Sequence, residues 1–160
     1  MARVGIRLVL LVAIAATIGC DRVTKHIAAT ALAELPGRSF LADTIRLEYS
    51  ENTGAFLSLG ANWPPAVRTA VFGVGTAVAL IVLTVLAVRG RWRKMALLGV
   101  ALFVAGGASN LLDRVAYGVV IDFMNVGVGS VRTGIFNVAD IAIMLGAGLL
   151  MIEGYRHSRT

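Results

Sequence analysis

At 160 residues the chain has the length of one domain, yet 58% of it is hydrophobic, only 15% is charged, and its mean hydropathy is +0.81. A soluble domain of this size cannot bury so much apolar surface, which excludes soluble folds, disordered chains and nucleic-acid-binding arms. One cysteine and two histidines exclude an intramolecular disulfide and a Cys/His zinc cluster, and the net charge of +6 is accounted for below by topology.

Four apolar stretches approach the roughly 20 residues a spanning helix needs. The first, 4–20, carries Arg7 near its start and ends at Cys20. With Arg3 and Arg7 ahead of an apolar run and small residues before Cys20, it imitates a lipoprotein signal peptide. Thr17, three residues before Cys20, stands where a bulky aliphatic residue is expected, and three more spans follow, so it reads as a retained helix. Asp21 and Lys25 come next, spaced i,i+4 as an ion pair on one helix face. From 44 to 50, Ile45, Leu47 and Tyr49 alternate with Arg46, Glu48 and Ser50, the period-two pattern of a half-buried strand. Trp63 ahead of Pro64 and Pro65 reads as an interfacial anchor leading into the second span, 69–88. The third span, 95–112, ends against Asp113 and Arg114, which read as helix-end charges that pair and snorkel. Residues 119–123, β-branched and aromatic around Asp122, read as a second short strand. The fourth span, 136–152, has Asp140 in its opening turn. Glycine patches at Gly73–Gly75, Gly106–Gly107 and Gly146–Gly148 suit close helix packing.

Arg89, Arg91, Arg93 and Lys94 crowd the link between spans two and three without an acid, Arg3 and Arg7 precede span one, and Arg156 and Arg159 follow span four. By the positive-inside rule these segments and both termini are cytoplasmic. The outer loops, 21–68 and 113–135, balance seven basic against seven acidic residues. The expectation is one polytopic domain over 1–160: an all-α integral membrane protein of four transmembrane helices with a small β-rich element on the outer surface. The excess positive charge is then an orientation signal and calls for no nucleic acid.

Charge at a bilayer's edge is costly and therefore a functional pointer. Four elements deliver Asp21, Asp113, Asp122 and Asp140 to one side at one depth. Neither Asp122 nor Asp140 has a cation adjacent in sequence. Val119, Val120, Ile121 and Phe123 surround Asp122 with apolar groups that raise a carboxyl pKa, whereas Asp140 sits where a helix macrodipole favours negative charge. Alone, Asp140 fits a simple helix-end complement equally well. Together, two carboxylates with opposed environments suit acid–base chemistry on a shared proton. His157 lies in the C-terminal tail, and no serine occupies a Gly-x-Ser-x-Gly turn near His26, which removes a Ser–His scheme. A carboxylate metal site in a phosphotransferase, and a proton-coupled transporter, stay open on these residues alone.

Five ordered blocks then carry a resemblance. They are Asp21-Arg-Val-Thr-Lys25, Asn52-Thr-Gly-Ala-Phe56, Gly106-Gly-Ala-Ser-Asn110-Leu-Leu-Asp113-Arg114, Val120-Ile-Asp122-Phe123 and Phe136-Asn137-Val-Ala139-Asp140. In this order between four spans, the chain resembles bacterial signal peptidase II, an integral-membrane aspartic protease family. The resemblance implies that Asp122 and Asp140 are the catalytic pair. It implies supporting roles for Asp21, Lys25, Asn52, Gly54, Asn110, Asp113, Arg114, Asn137 and Ala139. It further implies a monomer in the inner (cytoplasmic) membrane, contacting membrane lipid, with its site at the periplasmic face and no metal or other cofactor. The implied substrate is a diacylglyceryl-prolipoprotein, cut N-terminal to its lipidated cysteine. One departure is Ser109, where the family commonly has glycine before the asparagine of the third block.

Overall fold

A computed structural model of the chain describes the backbone of residues 2–55 and 59–159, and their side chains from Ile6 onward. Phe56, the last residue of the second block, lies outside the described residues. The order is α1 (Ala2–Ala31), β1 (Arg38–Phe40), β2 (Ile45–Asn52), α2 (Pro65–Arg89), α3 (Lys94–Tyr117), β3 (Val120–Val128), β4 (Val131–Arg132) and α4 (Val138–His157). Helices α2, α3 and α4 are each long and apolar enough to cross a membrane. Helix α1, at 30 residues, holds the predicted first span, whose first residues carry no described side chains.

Sequence chemistry sets the helix ends. Pro65 opens α2 at a position where a missing N–H costs nothing. Within α2, Thr69–Gly75 is a π-helical stretch that includes both Gly73 and Gly75. Gly118, left-handed at φ 76°, stops α3. Tyr117, the last residue of the helix, lies three residues beyond Arg114, so Arg114 sits in the final turn and Asp113 just ahead of it.

Helix α3 is the hub, packing against α1, α2 and α4. A Cβ on Gly99 would lie 2.9 Å from the Gly146 carbonyl oxygen, and one on Gly146 would lie 2.6 Å from that of Gly99. Only glycine permits this α3–α4 approach. Gly106 faces the Ala139 carbonyl and Gly107 faces Leu80, as close packing requires, whereas Gly148 meets nothing.

Four antiparallel strands form one sheet in the order β1-β2-β3-β4. The two predicted strands are present and longer than expected. In β2, burial does not alternate, because Leu47 and Tyr49 pack onto a cluster of Ala28, Leu32 and Phe123 while the other face is also partly covered. Strands β1 and β4 were not foreseen. The β1–β2 turn places Leu41, Ala42 and Asp43 at positive φ without a glycine, held by hydrogen bonds from Ser39 and Arg46 to the Asp43 carboxylate. In the β2–β3 register Ser50 faces Asp122 and Asn52 faces Val120. Asn52 and Asp122 are therefore diagonal neighbours on one face.

Candidate active site

Buried polar side chains are costly unless paired. Those among the described residues are Asp21, Lys25, Asn52, Ser109, Asn110, Asp113, Asp122, Asn125 and Asn137. All but Asn125 belong to one connected network, where the sheet meets the ends of α1, α3 and α4.

At its centre is Asn137, the N-cap of α4. Its side-chain oxygen accepts from the Asp140 N–H at 2.9 Å, and its own N–H donates to Asp140 Oδ2 at 3.1 Å, which closes a capping box. Its amide nitrogen donates to Asp122 Oδ1 at 2.6 Å. One residue thus ties Asp140 on α4 to Asp122 on β3. The remaining carboxylate oxygens are also served: Asn52 Nδ2 donates to Asp122 Oδ2 and Asn110 Nδ2 to Asp140 Oδ1, both at 2.9 Å. Asp122 is 2% exposed and Asp140 half-buried. Burial pushes the Asp122 carboxyl up to about 6, with the Asn52 amide pulling the other way and the Asp140 charge adding to the rise.

Behind this pair lies a charged cluster. Lys25 Nζ is surrounded by Asp21 Oδ2 at 2.8 Å, Asp113 Oδ2 at 2.7 Å and Asn110 Oδ1 at 2.7 Å. Asp21 also accepts from the Ala139 N–H at 2.9 Å, so α1 holds the first turn of α4 directly. The expected Asp21–Lys25 pair is therefore present. The expected pairing of Asp113 with Arg114 is not: Asp113 is fully buried against Lys25 and hydrogen-bonded by Arg22. Successive helical residues do not face each other, and Arg114 turns instead to the Gly54 carbonyl, at 2.6 Å. Gly54 in turn donates to Asn52 Oδ1 at 2.9 Å. Arg114 lies 6.0 Å from the Phe72 ring centroid, and Phe72 stacks on Trp63 at 5.5 Å. Trp63 thus packs against α2, the helix it precedes.

Two members of this network were not anticipated. Ser109 Oγ donates to Asp21 Oδ2 at 2.6 Å, so the residue that departs from the resemblance gives the cluster another donor. Arg22 was passed over as a neighbour of Asp21. The readable signal for Ser109 is its i,i+4 spacing from Asp113, which puts both on the face of α3 that meets α1. Among the described residues, no group of three His, Cys, Asp or Glu side chains is arranged to hold a metal ion.

Residues 13–156 match the family model described as signal peptidase (SPase) II. A lipoprotein signal peptidase of Chlorobium phaeobacteroides is 34% identical over 140 residues, covering 82% of this chain and 81% of that protein. One from Escherichia coli is 31% identical over 119 residues, covering 74% and 73%. One from Photorhabdus laumondii is 32% identical over 109 residues, covering 68% of this chain and 65% of that protein, just under two thirds of its length. Two solved structures of bacterial membrane enzymes share the fold. The first has a TM-score of 0.83 at 22% identity over 94% of this chain and 89% of that one; the second has 0.77 at 23% identity over 91% of each.

Proposed function

The chain belongs to the signal peptidase II family, a family of membrane proteases, and from that premise we propose that it is an aspartic endopeptidase cleaving diacylglyceryl-prolipoproteins N-terminal to the lipidated cysteine. The observation that carries this reading is the Asn137 bridge, which holds Asp122 and Asp140 together at the end of a bundle of apolar helices. A signal peptide's cleavage site lies at the outer end of its apolar helix, and the lipid on the cysteine keeps it at that depth. Gly54, Asn52, Asn110, Arg114 and Ala139 act here through the two carboxylates and the segments that hold them.

Two adjoining carboxylates do not both ionise readily, so the pair shares one proton. Asp140, at the N-terminus of α4, is the ionised member and Asp122 the protonated one. Asp140 takes a proton from water as the water oxygen attacks the scissile carbonyl carbon, and Asp122 donates to the carbonyl oxygen. The tetrahedral intermediate then collapses. Asp140 gives its proton to the leaving cysteine nitrogen while Asp122 recovers its own, leaving a new carboxyl on the signal peptide and a free amine on the lipoprotein. The measurement that tests the function is incubation of the purified protein with diacylglyceryl-modified and unmodified prolipoprotein, each with and without EDTA. Cleavage of the modified substrate alone, unaffected by EDTA, is expected. Cleavage of neither, or activity restored only by added metal, overturns the reading.

The pH dependence follows from Asp122. A carboxyl raised to about 6 keeps its proton below that pH and loses it above. The value of kcat/KM, which reports the free enzyme, is therefore expected to descend as pH rises past about 6. The descending limb of kcat lies higher, because bound substrate displaces water from the site. A kcat/KM still rising at pH 9 would assign the general acid elsewhere.

The same reading places the protein in the inner membrane as a monomer with four spans, both termini cytoplasmic and the carboxylates outside. Exposed Leu8, Leu11 and Val12 on α1 support its crossing the membrane as the first span, in addition to α2, α3 and α4. A reporter fused after Arg93 is expected to behave as cytoplasmic and one inserted near Arg38 as exported; the opposite result at Arg38 reverses the orientation.

A further inference from the structure

At the end of the bundle opposite the carboxylates, α1 and α2 both pack along α3 and barely touch each other. The gap between them is a cleft of about 580 Å³, floored by Leu97, Val100 and Ala101 and walled by Leu10 and Ile14 of α1 and Ala87 of α2. A shallower trough of about 380 Å³ continues from it past Thr84 and Val104, which line both, to Ala108 and Leu111. Leu97, Ala101, Val104, Ala108 and Leu111 follow a 4-3-4-3 spacing, so one stripe of α3 lines the cleft and the trough over roughly 21 Å at 1.5 Å per residue.

This groove has a charged mouth, formed by Arg7, Arg91 and Trp92. The nearby Arg93 is paired with Glu153 at 3.1 Å, whereas Arg7 and Arg91 have no carboxylate partner among the described residues. Trp92 is fixed in place. Its indole N–H donates to the Leu86 carbonyl at 3.0 Å, and its ring occupies the space a Cβ on Gly90 would take. An orientation signal needs only that basic residues lie in the loop; it does not require two of them over an apolar cleft beside a locked indole.

We propose that this cleft binds a phospholipid with an anionic headgroup, its phosphate between the Arg7 and Arg91 guanidiniums and one acyl chain along the α3 stripe that lines it. Guanidinium forks match phosphate oxygens, and Trp92 sits at the level where chain meets headgroup. Charge selects this occupant over two others. A signal peptide brings a basic segment to this end of its helix, which the two arginines repel. A second copy of the chain, docked by the same face, sets the two basic mouths against each other.

The test uses the purified full chain in a neutral detergent, with lipid retention followed by native mass spectrometry and the thermal midpoint alongside. Phosphatidylglycerol is expected to bind about tenfold more tightly than phosphatidylcholine of identical chains and to raise the midpoint further. Arg7→Gln with Arg91→Gln removes that preference; both side chains are exposed, so folding is retained, and Arg89, Arg93 and Lys94 keep the orientation signal. A six-carbon-chain phosphatidylglycerol, or inorganic phosphate, binds more weakly than the long-chain lipid, because neither fills the trough. Equal binding of the two long-chain lipids, an unchanged preference in the double variant, or a dimer in place of a lipid adduct overturns the proposal. Turnover is a separate readout, since neither arginine touches the carboxylate network.

Discussion

Asp122→Asn and Asp140→Asn are each expected to abolish prolipoprotein cleavage while leaving the protein folded and able to hold lipidated substrate. An amide nearly matches a carboxyl in shape but does not accept and return the shuttled proton. In the proposed mechanism each acid–base group contributes about 10²–10⁴-fold and both act on one proton, so the double variant should be scarcely worse than either single one. The structure adds a stability signature for Asp122→Asn. Both oxygens of Asp122 accept from amides, Asn52 on one and Asn137 on the other, whereas an asparagine there offers one acceptor. Asn137 cannot flip to compensate, because its oxygen caps Asp140. The donor left over costs about 1–3 kcal/mol. Against that, the variant no longer holds a charge whose carboxyl is pushed up to about 6, a gain of similar order above that pH. A raised carboxyl pKa means that the parent's stability is greatest with Asp122 protonated and falls as pH rises through about 6. The variant's thermal midpoint, relative to the parent, should thus be lower at pH 4 and recover by pH 8. Near-normal turnover of diacylglyceryl-prolipoprotein by either single variant would remove the pair from the mechanism.

The second large effect is expected at Lys25. Lys25→Met keeps the unbranched stem of the side chain and removes the ammonium from between Asp21 and Asp113, both fully buried. Breaking a buried ion pair costs about 3–5 kcal/mol, because the partner charge is left uncompensated; here two carboxylates lose a shared cation. The variant is expected to accumulate poorly or to melt far below the parent. Asp113→Asn should be much milder. Lys25 keeps Asp21, and Arg22, about one third exposed, can turn to water. Reduced but measurable turnover is the expected result there. Thermal midpoints and turnover of the two variants side by side decide the matter: equal stability would mean the cluster is held by something other than Lys25, and complete loss of turnover in well-folded Asp113→Asn would move Asp113 into the catalytic pair.

What was readable beforehand was what depends on neighbours in the chain. Asp122 among β-branched residues, Asp140 in the opening turn of an apolar helix, and Asp21 one turn before Lys25 all announce themselves through local sequence. The fate of Asp113 did not, because which face of α3 meets α1 is settled by packing between segments 91 residues apart. Arg114 was the nearer cation in sequence and the wrong one in space. The bond that Ser109 makes went unseen for the same reason, since its partner Asp21 lies 88 residues away. Strands β1 and β4, three and two residues long, have too few positions to show a period and exist only as partners of β2 and β3. The turn at Leu41–Asp43 lacks the glycine that usually marks positive φ, and depends on the bonds Asp43 collects after folding.

The bonding around the two carboxylates also bears on ligand design. Each of the four oxygens already accepts one amide hydrogen, from Asn52, Asn137 or Asn110. Three asparagines thus already occupy one acceptor position on every oxygen of the pair. A compound offering further acceptors, such as a phosphonate or a hydroxamate anion, would set oxygen against oxygen and lose affinity as pH rises. If the proposed pair shares one proton, a compound offering a single hydroxyl in place of the scissile carbonyl would donate to one carboxylate and accept that proton from the other, so ligand design against it starts from donors.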